Sequence, residues 1–350
     1  MRMIHIEHVT SNMRLARPIY HKNGSTILLN EGCMNLPSYK NKLSELNIHY
    51  LYIEDELSQG IVINDTVSEK TRQKGKKAIK EAISQVAQGK NLNVRLVKKT
   101  VKSILNDILD NKNILVGLTD IRTSDEYTFT HSVNVAVLSL ILGNALHYDK
   151  YQLQKLGVGA LLHDIGKAKI PNDIINKPGK LTSEEFHVIQ EHPQLGFDAV
   201  KNNWELSPLS RTVILCHHEK VNGSGYPRHV NGTEIHDFAK IVAICDIFDA
   251  LTADRCYSPK WELSEVLTHL RNISGTELDP VLTEKFISLV TPYPNGTTLS
   301  LPDGRRAIVF EQNKKNVQRP VLRIFEENTV RLAPEEFYLL DLSLHPEIVL

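Results

Sequence analysis

The stretch "GALLHDIGKAKIP" (159–171) places His163, Asp164 and Lys167 at the end of an otherwise apolar run. Groups of this kind where a helix enters a core mean one of two things. They are a buried polar contact between helices or part of a metal site. The dipeptide alone does not choose, but further donors do. His131 opens "HSVNVAVLSLILGNAL", His192 sits in "QEHPQLG", His217 and His218 end "VILCHH", and Asp246 lies within "VAICDIFDA". Five apolar segments thus each deliver one or two nitrogen or oxygen donors to the interior, where an unpaired polar group is costly. Five imidazoles and two carboxylates exceed the three protein ligands of one open catalytic metal. Divided between two ions, with one carboxylate bridging, they give three or four each. Two cations about 3.5–4 Å apart suit phosphate-ester hydrolysis: a hydroxide between them attacks phosphorus while both offset phosphoryl charge. Donors without thiolate favour iron, manganese or a similar ion over a cysteine–zinc site. Lys167, three residues after Asp164, falls on the same helical face if the turn continues.

The elements carrying these residues read as helices from about 114 to 292. "HSVNVAVLSLILGNAL" is apolar nearly all round, as a buried central helix is. "KYQLQKLGVGALLHDIG" is a second, closed by Gly166, and "SEEFHVIQEHPQLGFDAVKN" starts at Ser183 and Glu184 in a capping context. "SRTVILCHH" and "AKIVAICDIFDALTADR" follow the same scheme. Residues 66–113 carry apolar positions three or four apart among many lysines, which predicts one or two amphipathic helices with a solvated face. Residues 1–65 alternate β-leaning pieces ("RPIY", "STILL", "LYIEDEL") with turn residues and one helix near "SYKNKLSELNI". The tail from 293 returns to strands, with Asn-Gly and Asp-Gly turn signals.

Composition narrows the function classes. Lys plus Arg and Asp plus Glu balance at 41 each, so no global charge recruits duplex DNA, RNA or an anionic membrane. Four cysteines (Cys33, Cys216, Cys245 and Cys256) lack paired spacing and read as reduced thiols. No secretory signal and no apolar window near the ~18 residues of a membrane span is visible. The expectation is a soluble cytoplasmic protein with no membrane span.

The segments "HSVNVA", "HDIGK", "EHPQLG", "HHEKVNGSGYP" and "DIFDALTADR" occur in the order expected of the HD-GYP phosphodiesterases, and from about 104 to 292 the chain resembles that bacterial family. The resemblance implies a mainly α fold: a helical HD-type metal-dependent hydrolase domain flanked by small β-rich modules. The expected division is 1–65 (β-rich module), 66–103 (amphipathic helical connector), 104–292 (metallohydrolase domain) and 293–350 (β-rich extension). By position, the resemblance puts His131, His163, Asp164 and Asp246 around one metal, and Asp164, His192, His217 and His218 around the other. It gives Lys167 a catalytic and substrate-binding place at a phosphate oxygen or the leaving oxygen. Arg255 would grip the second phosphate, and Tyr226 of "GSGYP" would pack against a base or shape the loop. Glu219 and Asp249 would orient ligating histidines.

The match departs in places. Asn222 and Val221 stand where aspartate and tryptophan are usual, Cys256 and Ser258 replace a proline and a basic residue, and Tyr127 replaces a glutamate that supports a third ion in some members. Two divalent ions, iron or manganese, are therefore expected. The implied activity is hydrolysis of cyclic di-GMP to pGpG, with further cleavage to GMP. The alternatives are a catalytically weak cyclic-dinucleotide-binding signalling protein, a phosphodiesterase for another cyclic dinucleotide, and a metal-stabilised scaffold. The outer modules are expected to serve regulation, a homodimer or a signalling-protein partner.

Overall fold

A computed structural model describes residues 1–21, 26–46, 48–63, 66–110, 127–177, 179–253, 261–313 and 316–350, and of Tyr127 only the backbone. The chain is mainly α, with small β-sheets near both ends, and divides into two compact units. The first holds residues 1–65 and 290–350. Strands β1 (Arg2–His5) and β2 (Arg14–Leu15) precede a hairpin of β3 (Ile19–Tyr20) and β4 (Ile27–Leu29), helix α1 (Lys40–Glu45) and strand β5 (Tyr50–Glu54). β5 is the centre of an antiparallel sheet ordered β1-β5-β2. β1, in "MRMIHIEH", is a strand that the sequence reading passed over.

The tail contributes β6 (Thr298–Ser300), β7 (Arg306–Glu311), β8 (Val321–Glu327), β9 (Val330–Arg331) and β10 (Tyr338–Asp341), ordered β10-β8-β7-β6 with β9 on β8. The Asp303-Gly304 turn joins β6 to β7, with Gly304 at φ +87°. Alternation along β7 and β8 feeds two cores. Ala307, Val309, Leu322 and Ile324 face one cluster. Ile308 and Phe325 face another, shared with Tyr52, Leu57, Ile61 and Ile63 of the amino-terminal part. The two β-rich ends are therefore one unit with a common core.

The second unit begins with α2 (Glu69–Ala87) and α3 (Val94–Asp110), followed by α4 (Tyr127–Ala145) and α5 (Lys150–Leu162). The span expected to be a connector thus packs into the helical unit, because α2 and α3 each bury an apolar face that includes Ile79, Val86, Val97, Val101 and Ile104. A 3-10 turn over Ile165–Lys169 leads to α6 (Asn172–Ile175), α7 (Ser183–Gln190), α8 (His192–Val200) and α9 (Pro208–Cys216). α10 (Asp237–Thr252), α11 (Leu263–Ile273) and α12 (Pro280–Ile287) complete it. α7 starts at Ser183 as expected, with Thr182 as its cap. The Thr182 hydroxyl accepts from Glu185 N, and the Glu185 carboxylate accepts from Thr182 N. The expected single helix over 183–202 breaks at Glu191, so that His192 opens a new helix with Pro193 beside it.

Buried α4, apolar all round as expected, packs on α2, α5 and α10; α5 packs on α9, and α8 on the 165–169 turn. Two glycines allow the closest approaches. A Cβ on Gly159 would lie 2.8 Å from Val213 Cβ, and one on Gly166 would lie 1.9 Å from the His192 carbonyl oxygen. Among the described residues no helix is long and apolar enough to cross a membrane. Cys33, Cys216 and Cys245 are free thiols. The Gly166→Ala substitution is expected to cost about 3 kcal/mol, the upper end for overpacking against backbone. Urea denaturation checks this, and a loss under about 1 kcal/mol would contradict so close a contact.

Candidate metal centre

Four of the five histidines stand at helix ends, and that placement decides what their rings can do. His163 caps the C-terminus of α5 and His217 that of α9, while His192 follows the end of α7. The last carbonyls of a helix have acceptor capacity to spare, and three of these rings use one of them. His163 Nδ1 donates to Ala160 O (2.8 Å), His192 Nδ1 to Ile189 O (2.7 Å) and His217 Nδ1 to Ile214 O (3.0 Å), always three residues back. A carbonyl oxygen only accepts, so Nδ1 carries the hydrogen and the Nε2 lone pair of the neutral ring points away from its helix.

Those Nε2 atoms converge on one carboxylate. Asp164 Oδ1 lies 3.2 Å from His192 Nε2 and 4.0 Å from His217 Nε2, and Oδ2 lies 3.4 Å from His163 Nε2 and 3.7 Å from His131 Nε2. His192 and His217 bring their Nε2 atoms within 3.2 Å of each other. Asp246, on α10, closes the other side. Its Oδ1 is 3.0 Å from His131 Nε2 and 3.9 Å from His163 Nε2, and its Oδ2 is 3.9 Å from His218 Nδ1. All seven side chains expected from the sequence are brought together. Three overlapping groups have donor atoms within 4.8 Å of one another: Asp164, His192, His217 and His218; His131, His163 and Asp164; and His163, His217 and Asp246.

This arrangement fits a divalent cation on physical grounds. His163 Nε2 and Asp164 Oδ1 are buried and have no hydrogen-bond partner among the described residues, an arrangement that is costly without a positive charge between them. Burial pushes His217 well below its ordinary pKa, with the neighbouring His218, His163 and His192 adding to it. Burial likewise takes His218 down to about 3. Both rings are neutral and ready to coordinate. Asp164 and Asp246 stay ionised. Burial pushes both up, but Lys167 and His163 hold Asp164, and His131 holds Asp246, well below the usual carboxylate range. Burial lowers His131 too, yet Asp246 and Asp249 outweigh it and keep it up at about 9.

The surrounding residues are placed as follows. Asp249 contacts a ring as expected, accepting from His131 Nδ1 at 2.7 Å. Glu219 does not. Its buried carboxylate accepts from Arg228 N (2.7 Å) and Val230 N (3.2 Å), holding the 219–230 loop instead of a histidine. Sequence reasoning missed Asn134, whose Nδ2 donates to Asp249 Oδ1 at 3.0 Å. Its signal was a polar residue three positions after His131 in an otherwise apolar helix. Lys167 reaches Asp164 Oδ2 at 2.6 Å through a 3-10 turn, in which residues three apart eclipse. Tyr226 stacks on His218 at 4.8 Å between ring centroids, beside the cluster. Gly225 is required there, since a Cβ would meet Lys220 N at 2.4 Å. Asn222 still performs the turn, its Oδ1 accepting from Ser224 N and Oγ. Cys216 and Cys245 are buried core residues whose thiols burial pushes up, Cys216 to about 11. Arg255, Cys256 and Ser258 lie outside the described residues, as does the Tyr127 side chain.

Comparison with known proteins places the cluster in a family. The model of the HD domain family matches residues 103–282. A cyclic di-GMP phosphodiesterase of Pseudomonas aeruginosa is 34% identical over 252 residues, 72% of this chain and 61% of that protein. A cyclic di-GMP phosphodiesterase of Thermotoga maritima is 33% identical over 55% of this chain and 54% of its own length. A 3′3′-cGAMP-specific phosphodiesterase of Vibrio cholerae is 37% identical over 44% of this chain and 33% of its own. The chain thus spans at most about three fifths of these relatives. In fold it is similar to an HDG"Y"P protein from Bdellovibrio bacteriovorus, with TM-score 0.51 and 17% identity over 81% of this chain and 97% of that one. The chain belongs to the HD domain family.

Proposed function

We propose that the chain is a metal-dependent phosphodiesterase that opens cyclic di-GMP to linear pGpG, with GMP as the product of a second cleavage. The observation carrying this reading is the convergence of imidazole Nε2 lone pairs on the buried Asp164 carboxylate. The named activity of relatives one third identical supports the substrate. We assign His131, His163, Asp164 and Asp246 to one divalent ion and Asp164, His192, His217 and His218 to a second. Iron or manganese suits a site of nitrogen and carboxylate donors without thiolate. Bound there, such ions supply Lewis acidity for attack of water on a phosphodiester.

The protein's own part is to fix and complete that site. Helix-end carbonyls hold three rings in the coordinating tautomer. Lys167, about one third exposed, sets its Nζ 2.6 Å from the Asp164 carboxylate and is placed to hold a phosphate oxygen or protonate the leaving oxygen. His218, a quarter exposed, and its stacked partner Tyr226 form the accessible wall against which a guanine base packs. Arg255 enters only through the sequence resemblance, as the grip on the second phosphate.

Three outcomes are expected. Full-length protein purified without oxygen and assayed with iron and with manganese should convert cyclic di-GMP to pGpG faster than it cleaves 3′3′-cGAMP. No turnover with either metal defeats the reading, and preference for 3′3′-cGAMP moves the substrate to that of the Vibrio cholerae relative. The Asp164→Asn variant should lose more than about 100-fold in metal affinity, beyond the usual cost of altering an outer-sphere partner, by elemental analysis after dialysis. Lys167→Ala should retain its metal while kcat falls by about 100-fold, the low end for lost proton transfer. An unchanged kcat would remove Lys167 from the chemistry.

A further inference from the structure

We infer that Arg72, on α2, is a positioning residue for the metal centre: acting through Asn134 and Asp249, it fixes which nitrogen of His131 faces the cation. The inference rests on the metal-dependent reading above. Arg72 lies outside residues 103–282, the span matched by the family model, so nothing in that match assigns it a role.

Four side chains form one line. Arg72 Nη1 donates to Asn134 Oδ1 at 2.9 Å, Asn134 Nδ2 donates to Asp249 Oδ1 at 3.0 Å, and His131 Nδ1 donates to Asp249 Oδ2 at 2.7 Å. His131 Nε2 then faces Asp246 Oδ1 at 3.0 Å and Asp164 Oδ2 at 3.7 Å. The direction of this line is set at its Arg72 end. A guanidinium has donors only, so the Asn134 amide must turn its oxygen toward Arg72 and its NH2 toward Asp249. With both oxygens accepting, Asp249 holds the hydrogen of His131 on Nδ1, so Nε2 is the nitrogen left to face a cation. The reversed amide would set NH2 against guanidinium donors and a carbonyl against a carboxylate, repulsive at both ends. Asn134 and Asp249 are buried, 5% and 1% exposed, so solvent is a poor substitute for the donor. α2 is held closely at this point, since a Cβ on Gly75 would lie 2.7 Å from Val133 Cγ2, next to Asn134.

His131 needs this device because it lies within the body of α4. His163, His192 and His217 each use a helix-end carbonyl three residues back. His131 borrows a carboxylate from α10, and that carboxylate is oriented by α4 and α2.

The test is a Mn2+ titration of metal-free, full-length protein at one pH, with free Mn2+ read by electron paramagnetic resonance. Arg72→Met keeps the aliphatic stem and removes the donors. It should weaken one ion by about 10–100-fold and leave the other, held by His192, His217 and His218, within about 3-fold. Arg72→Lys restores a donor and should recover most of the loss. Asn134→Leu breaks the next link and should weaken the same ion, and the double variant should be no worse than either single one. A purely structural Arg72 would lower the melting temperature without moving either affinity. Unchanged Mn2+ binding in Arg72→Met, or summed losses in the double variant, overturns the inference. If Arg72→Met does not fold, Asn134→Leu decides, and unchanged binding there overturns it equally. Wild-type protein that binds no Mn2+ overturns the functional reading and this inference together, whereas wild-type binding with unaffected variants overturns this one alone.

Discussion

Three imidazole lone pairs directed at one buried carboxylate are the constraint on which the helical unit depends. His163, His192 and His217 present Nε2 to Asp164 in a pocket where none of the four is more than 2% exposed. Without a positive charge this convergence is repulsive among the nitrogens and leaves His163 Nε2 and Asp164 Oδ1 unsatisfied. The rest of the unit imposes it. Glycines at 159 and 166 let α9 and α8 come to van der Waals contact with the α5 end, so the rings cannot back away from one another without separating helices. Cation binding and helix packing are then one equilibrium, in which a bound ion stabilises the packed state.

The same pocket is graded in exposure, and the gradient gives it a front. His163 is fully enclosed, while Lys167 and His218 are about one third and one quarter exposed and Tyr226 stacks on the latter. The accessible groups of the cluster are thus the Lys167 side chain and an aromatic pair, and the carboxylates are the buried ones. The loop forming that side is held by Glu219, through two backbone amides, and by Gly225, where no side chain fits. A charge buried for the sake of a loop is costly unless it is satisfied, and both Glu219 oxygens are. Loop geometry there is held by Glu219, while Asn222 closes a local turn.

How much of this was legible in the sequence varied with the range of the interaction. The seven cluster residues could be read because each is a polar group in an apolar helical segment, a conflict visible at short range. The Lys167–Asp164 pair was legible from spacing, although the turn is 3-10 and not α. Asn134 showed only as a polar residue in an apolar helix and Arg72 not at all, since their roles depend on which helices meet, and α2 follows the amphipathic pattern of any surface helix. Residues 1–65 and 290–350 share a core through Tyr52, Ile308 and Phe325, a pairing across most of the chain that no local pattern records. Glu219 and Asp249 looked equivalent as acidic residues near ligands, and only the direction of each carboxylate separated them.

The helix-end histidines also explain why the site draws on so many elements. An imidazole coordinates well only when its other nitrogen has a fixed partner, and the least demanding partner is a carbonyl already left open at the end of its own helix. His163 and His217 meet this condition by ending α5 and α9, and His192 meets it because the chain breaks at Glu191. Each ligand of that type requires its own helix terminus, and the termini must meet at one point. That accounts for short helices, close glycine contacts and the interruption between α7 and α8. A ligand in mid-helix escapes the requirement but needs a partner from elsewhere, as His131 does. Asp249 is a longer-range solution whose orientation must itself be set. The sequence of dependence, from His131 to Asp249, Asn134 and Arg72, is the structural consequence of placing one imidazole inside a helix and the others at or just beyond helix ends.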